Sequence, residues 1–250
     1  MKISQLLRAF LICGLFASAR AAEGPAATPA ADGMGVQIPF KIIRSVPINY
    51  PIVLLKEGVA NGEARVLINI SPEGKLVDTL VLAYTHLPFA NAALTAIRQW
   101  RYEPAKLNGE PVGTVADCSF EFNVDGILLV QRTGVPVYQK RDPFGDRFAY
   151  KPQTLSGLDA IPAPVRVVRP VYPQEWEEQG MRGQVTIDFY IDEEGTVRMP
   201  SVASAVHPML AATATAAVRE WRFSPPLKQG RPVLTHCQQV FTFERDTGKP

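Results

Sequence analysis

Trp100-Arg101-Tyr102-Glu103-Pro104 is answered by Trp221-Arg222-Phe223-Ser224-Pro225, with each residue displaced by 121 positions. Further words recur at the same interval. Asn108-Gly109-Glu110-Pro111-Val112 returns as Gln229-Gly230-Arg231-Pro232-Val233, and Gly62, Gly74 and Phe122 return as Gly183, Gly195 and Phe243. Two copies of one small module therefore fill most of the chain. What recurs is glycine, tryptophan and strand aromatics, which are landmarks of a fold. No set of catalytic side chains recurs with them.

Working outward from the tryptophans, ANAALTAIRQWR (residues 90–101) and AATATAAVREWR (residues 211–222) place alanines and branched residues at helical spacing, with Trp100 or Trp221 ending the apolar stripe. A tryptophan in that place is a core plug. A proline stops each helix, and an Asn-Gly or Gln-Gly turn leads into a last strand. Before the helix, Val185, Ile187, Phe189 and Ile191 alternate with Gln184, Thr186, Asp188 and Tyr190, the pattern of a half-buried strand. Ala64, Val66, Ile68 and Ile70 repeat it. Each strand ends in a Gly-bearing turn, at Gly74 or Gly195, and a second strand follows. Upstream, Tyr172-Pro173 opens the polar segment QEWEEQG, a first helix closed by glycine. The resulting order is helix, strand, strand, helix, strand. This predicts an α+β fold of two tandem modules, each a three-stranded antiparallel sheet with two helices on one face.

The 250 residues suit two ordinary domains, and roughly 85 to 95 residues per copy suffice for a modest core. The expected divisions are a signal peptide at 1–21, a flexible leader at 22–37, a divergent first module at 38–130, a connecting segment at 131–158 and a second module at 159–250. Lys2 and Arg8 precede the apolar run Ala9 to Ala19, and Ala19-Arg20-Ala21 has the small-x-small form of a cleavage site. That run is shorter than the ~20 apolar residues that span a bilayer. An uncleaved anchor would have to bury Arg8. The charge of +2 and the 9% aromatic content argue against nucleic acid as a partner.

Cys118 and Cys237 remain after export, and strand parity places each on the core side of its own module, which favours two buried free thiols over a disulfide. His86 and His207 occupy equivalent places before each second helix, so a shared structural role outweighs a metal or catalytic one. Asp188, Asp192, Glu193 and Glu194 read as solvated hairpin carboxylates. No nucleophile elbow, P-loop, dinucleotide fingerprint or zinc-protease motif occurs. The expectation is a non-enzyme with no cofactor and no small-molecule substrate.

The second copy, through Pro170-Val171-Tyr172-Pro173, Gly180-Met181-Arg182-Gly183-Gln184-Val185, Gly195-Thr196-Val197, Trp221 to Pro225 and Phe241-Thr242-Phe243, resembles the C-terminal domain of TonB. The first copy is similar but looser, and its apolar Ile52-Val53-Leu54-Leu55 replaces the polar first helix of the second. The resemblance implies a periplasmic protein of the Gram-negative envelope, associated with TonB-dependent transport. It would bind peptide segments of outer-membrane transporters, or other envelope proteins, by strand addition. A homodimer stays open. The long Pro-rich rod of full energy transducers is missing.

The last strand, joined after a long connection, is expected to offer an exposed edge to a partner's extended peptide. In the second module the outward parity selects His236, Gln238, Val240 and Thr242 as the flanking side chains. Trp176, in the polar first helix, is a further surface-contact candidate. The competing reading is that this edge is filled internally, by the other module or by the 133–158 segment. A structural scaffold in which the modules pair edge to edge, and an anchored energy transducer with a retained N-terminus, are the alternative functions.

Overall fold

The structure, a computed structural model, describes residues 37–133 and 144–244. The expected signal peptide, residues 22–36 of the leader and the tail from residue 245 lie outside the described residues.

The first module runs through α1 (Ile52–Lys56), β1 (Asn61–Ile70), β2 (Leu76–Tyr84), α2 (Leu87–Ile97), β3 (Thr114–Asn123) and β4 (Gly126–Thr133). Its sheet is ordered β2-β1-β3-β4 and is antiparallel throughout. A two-residue strand, β5 (Gln153–Thr154), belongs to the connection. The second module follows with α3 (Gln174–Glu178), β6 (Gly183–Ile191), β7 (Val197–Ala205), α4 (Pro208–Arg219) and β8 (Thr235–Phe243). Its sheet is ordered β5-β8-β6-β7. The α+β reading with tandem modules holds, and each three-stranded core gains a fourth strand from its own chain. The first module's sheet thus continues through Thr133, beyond the expected boundary at residue 130.

Alternation decides which face is apolar. Val66, Ile68 and Ile70 of β1 and Cys118, Phe120 and Phe122 of β3 bury themselves under α2 through Phe89, Ala93 and Ile97, with Trp100 closing the core. In the second module Val185, Ile187, Phe189 and Cys237 meet Leu210, Ala214, Val218 and Trp221. Burying each large apolar side chain contributes about 1.5–3 kcal/mol. Both tryptophans are core plugs with a satisfied polar end: the Trp100 indole N–H donates to the Val46 carbonyl at 3.1 Å and that of Trp221 to Val168 at 2.7 Å. The tyrosines before the first helices repeat in the same way, Tyr50 donating to the Val59 carbonyl at 2.8 Å and Tyr172 to Met181 at 2.7 Å.

The recurring hairpin glycines have a shared cause. Gly74 and Gly195 sit at φ 76° and 84°, and a Cβ there would stand 2.6 Å from the Tyr102 carbonyl oxygen and 2.0 Å from that of Phe223. The strand that follows the tryptophan passes directly over the turn, and only glycine fits both the left-handed φ and the close approach.

The modules pack through the sheet faces that point away from the helices. Leu67, Leu80 and Leu82 of the first meet Tyr190, Met199 and Leu234 of the second, with Phe144 and Phe148 of the connection in the same cluster. Tyr150 stacks on Tyr84 at 5.1 Å and donates to Glu193 Oε1 at 2.6 Å. Arg65 pairs with the buried Asp117 and lies over the Phe144 ring at 4.8 Å. Among the described residues no hydrogen-bonded ladder joins β2 to β7, so the modules meet by faces and not by edges.

Candidate peptide-docking edge

β8 pairs with β6 along its whole length, from Thr235 opposite Ile191 to Phe243 opposite Gly183. Among the described residues its other side carries only β5, in parallel, with Gln153 opposite Thr235 and Thr154 opposite His236. Among the described residues the edge is open from Cys237 to Phe243. The equivalent strand of the first module has no such opening, because β4 covers β3 from Ala116 to Asn123. A run of unpaired strand-edge groups on an ordered sheet is a template for an added strand.

The side chains around the open stretch divide by face. Gln238 and Thr242 are exposed and Val240 is half-buried on the side away from the helices. The Gln238 amide donates to Asp188 Oδ1 at 3.0 Å. His236 is drawn inward: its ring lies 5.3 Å from that of Tyr190, its Nε2 is 3.6 Å from Asp188 Oδ1, and β5 runs beside it. On the helix side Phe241 is half-buried against Trp221 at 5.7 Å, and Phe243 packs on Tyr172 at 5.4 Å. Trp176 is half-buried against the second core, so its ring is shared between packing and surface. The structure therefore brings Gln238, Val240 and Thr242 together at the open edge, places His236 under the β5 cap, and leaves Trp176 on the helix layer.

Of the strands that cover these edges, β4 lies outside the sequence reading, whereas β5 is the competing reading realised over two residues, since Gln153 and Thr154 belong to the 133–158 segment. β4 had a usable signal, since Asp125-Gly126 is a turn dipeptide followed by the strand-forming Ile127-Leu128-Leu129-Val130. β5, two residues long, has no periodicity to read. It is held by the Gln153 N–H donating to the Leu234 carbonyl at 2.8 Å and by Lys228 Nζ donating to Gln153 Oε1 at 2.6 Å.

The other polar candidates serve the fold. His86 and His207 are both helix N-caps, and His207 Nδ1 accepts from the Met209 N–H at 3.2 Å. Cys118 and Cys237 are free and buried in separate cores. Burial, with a smaller contribution from Asp117, pushes the Cys118 thiol up to about 12, and burial pushes Cys237 up to about 12. Neither is a ready nucleophile or metal ligand. Among the described residues no group of three or more His, Cys, Asp or Glu could hold a metal ion, and no helix is long and apolar enough to cross a membrane.

Residues 46–124 and 168–244 match the family described as Gram-negative bacterial TonB protein C-terminal, and together these segments cover more than half of the chain. The chain belongs to this family. Each match falls on one module, so the TonB-like domain occurs twice in tandem. A solved chain that is similar is the C-terminal domain of TonB from Pseudomonas aeruginosa, determined by solution NMR. It is 26% identical over 39% of this chain and 97% of that chain, with a TM-score of 0.33. No curated protein matches. Membership in the TonB family makes this a TonB-like protein of the Gram-negative envelope.

Proposed function

We propose that the protein is a periplasmic TonB-like adaptor whose second module takes an extended segment of an outer-membrane transporter, or of another envelope protein, by strand addition along Cys237–Phe243. The observation that carries this reading is the difference between equivalent strands: β3 is covered on both sides by its own chain, whereas β8 is open beyond His236 among the described residues. A repeat that closes one copy of an edge and leaves the other open concentrates recognition at the second. The added strand would place alternate side chains beside Gln238, Val240 and Thr242, and the remainder beside Phe241. Backbone hydrogen bonds would supply affinity and these neighbours selectivity.

The face-to-face packing of the modules gives the second one a fixed platform, which suits an adaptor. The expected cleavage near Ala21 would release the chain into the periplasm, and its retention would make the chain an anchored transducer. Mass spectrometry of the exported protein distinguishes these by its first residue.

Titration of the exported protein with a synthetic transporter peptide tests the binding claim. Binding in the micromolar range is expected, and Val240→Pro, which puts a ring and a missing N–H into the edge strand, should weaken it at least tenfold. Equal binding by the variant would refute the edge as the site.

A further inference from the structure

We propose a second docking site: the groove at the α1 end of the first module binds a basic peptide segment that carries aliphatic side chains beside its cations. The groove has a volume of about 890 Å³ and lies where β1 begins, β3 ends and β4 starts. Its apolar part comes from Phe122, Ile127 and Leu128. Leu128 is 57% exposed, and Leu87 and Val124, each 51% exposed, adjoin the lining residues in sequence. Its charged part consists of Glu63, Glu121 and Asp125 against one guanidinium, that of Arg147.

The charges are unbalanced in a telling way. Glu63 and Glu121 stand directly opposite each other on β1 and β3, a cross-strand pairing of like charges that destabilises a sheet. Arg147 Nη2 lies 2.6 Å from Glu63 Oε2, and the Ser119 hydroxyl donates to Glu63 Oε1 at 3.1 Å, so Glu63 is compensated. Glu121 and Asp125 are exposed and form no ion pair among the described residues. A lysine or arginine arriving in the groove would supply the missing counter-charge while its neighbours cover Leu128 and Val124.

The repeat provides an internal control. At the positions of Glu63 and Glu121 the second module has Gln184 and Thr242, paired opposite each other in the same way. The fold therefore does not require these carboxylates. The first helix differs too: Ile52, Val53 and Leu55 are exposed on α1, and counting from the shared Tyr-Pro the corresponding residues of α3 are Gln174, Glu175 and Glu177. Tyr50, just before α1, contacts Phe122 of the groove at 6.4 Å between rings. At the cross-strand pair the first module is thus acidic where the second is neutral, and its first helix is apolar where α3 carries Glu175, Glu177 and Glu178. A bare metal ion is a poor occupant, because no three-ligand group exists there among the described residues. A groove of this size suits a few side chains of a peptide.

The test uses the full exported chain and two acetylated hexapeptide probes, one alternating lysine with valine and the other glutamate with valine, with backbone amide shifts as the readout. The lysine peptide should shift amides of Glu63 and of Glu121–Leu128, and the glutamate peptide should not. Glu121→Gln combined with Asp125→Asn should weaken the lysine peptide roughly tenfold, and added salt should weaken it in the parent protein. Three results would overturn the site: equal binding of both peptides, unchanged affinity in the double variant, or shifts confined to Gln238–Thr242. The last would leave the strand edge of the second module as the place where such peptides bind.

Discussion

Arg198 on β7 holds Asp78 on β2 through two nitrogens, Nη2 at 2.6 Å from Oδ1 and Nε at 3.2 Å from Oδ2. The same Nη2 donates to the Thr79 carbonyl at 3.1 Å, and Nη1 stands 3.6 Å from Asp192. One side chain of the second module thus binds the first by a planar fork that lysine cannot reproduce. The pair is about a third exposed, so solvent screens it, and its coupling energy should be about 1 kcal/mol or less. A double-mutant cycle with Arg198→Lys and Asp78→Ala, read by chemical denaturation, should return a coupling of that sign and size. A zero coupling would mean that the apolar cluster alone orients the modules.

The hairpin glycines give a sharper stability test. Gly195→Ala should cost about 2 kcal/mol or more, because left-handed strain adds to a clash with the Phe223 carbonyl. Gly74→Ala should behave in the same way against Tyr102. Gly230→Ala shares the positive φ but has nothing within 4 Å, so it should cost about 1 kcal/mol from strain alone. Urea unfolding of the three variants checks the order. Equal losses in all three would remove close approach as the reason for the repeat's glycines.

Alkaline pH should destabilise the fold. In the unfolded chain the thiols ionise near 9, whereas in the folded state Cys118 and Cys237 keep their protons up to about 12. Burial raises the Tyr102 and Tyr150 phenols as well, the latter with help from its hydrogen bond to Glu193. Between these values the folded state binds more protons, so stability is fully present below pH 9 and falls as pH rises toward 12, by about 1 kcal/mol per pH unit for each thiol. Denaturation midpoints at rising pH should follow this slope, and Cys118→Ala with Cys237→Ala should flatten it. Thiol reagents should label neither cysteine before unfolding.

The β5 cap should limit the length of a bound strand. Gln153→Pro removes the N–H that donates to Leu234 and should free the edge at Thr235 and His236. Hydrogen exchange of the His236 amide should quicken in that variant, and a peptide two residues longer should gain affinity only there. Unchanged exchange would show that β5 does not hold this end of the edge.

Much of this architecture is legible in the sequence. The 121-residue register, the alternation of Val185 to Ile191, the helix ending at Trp221 and the glycine turns are local signals, and local physics decides them. The coverage of the outer sheet faces is not legible. Tyr190 and Leu67 alternate as outward residues, yet both are buried, because the other module lies on that face. The parity of Gln238, Val240 and Thr242 could be read from Phe241 and Phe243. The burial of His236 beside Tyr190 and the β5 cap depend on contacts far apart in sequence, which periodicity does not record.

The proposed role of β8 is to receive a partner's extended peptide along its open edge. Hydrogen exchange of the Cys237–Phe243 backbone amides, without and with a saturating transporter peptide, tests it most directly. Edge-facing amides of this stretch should exchange fast in the free protein and become protected on binding, while those of β3 stay protected throughout. Slow exchange in the free protein, or binding that leaves these amides unprotected, would contradict it.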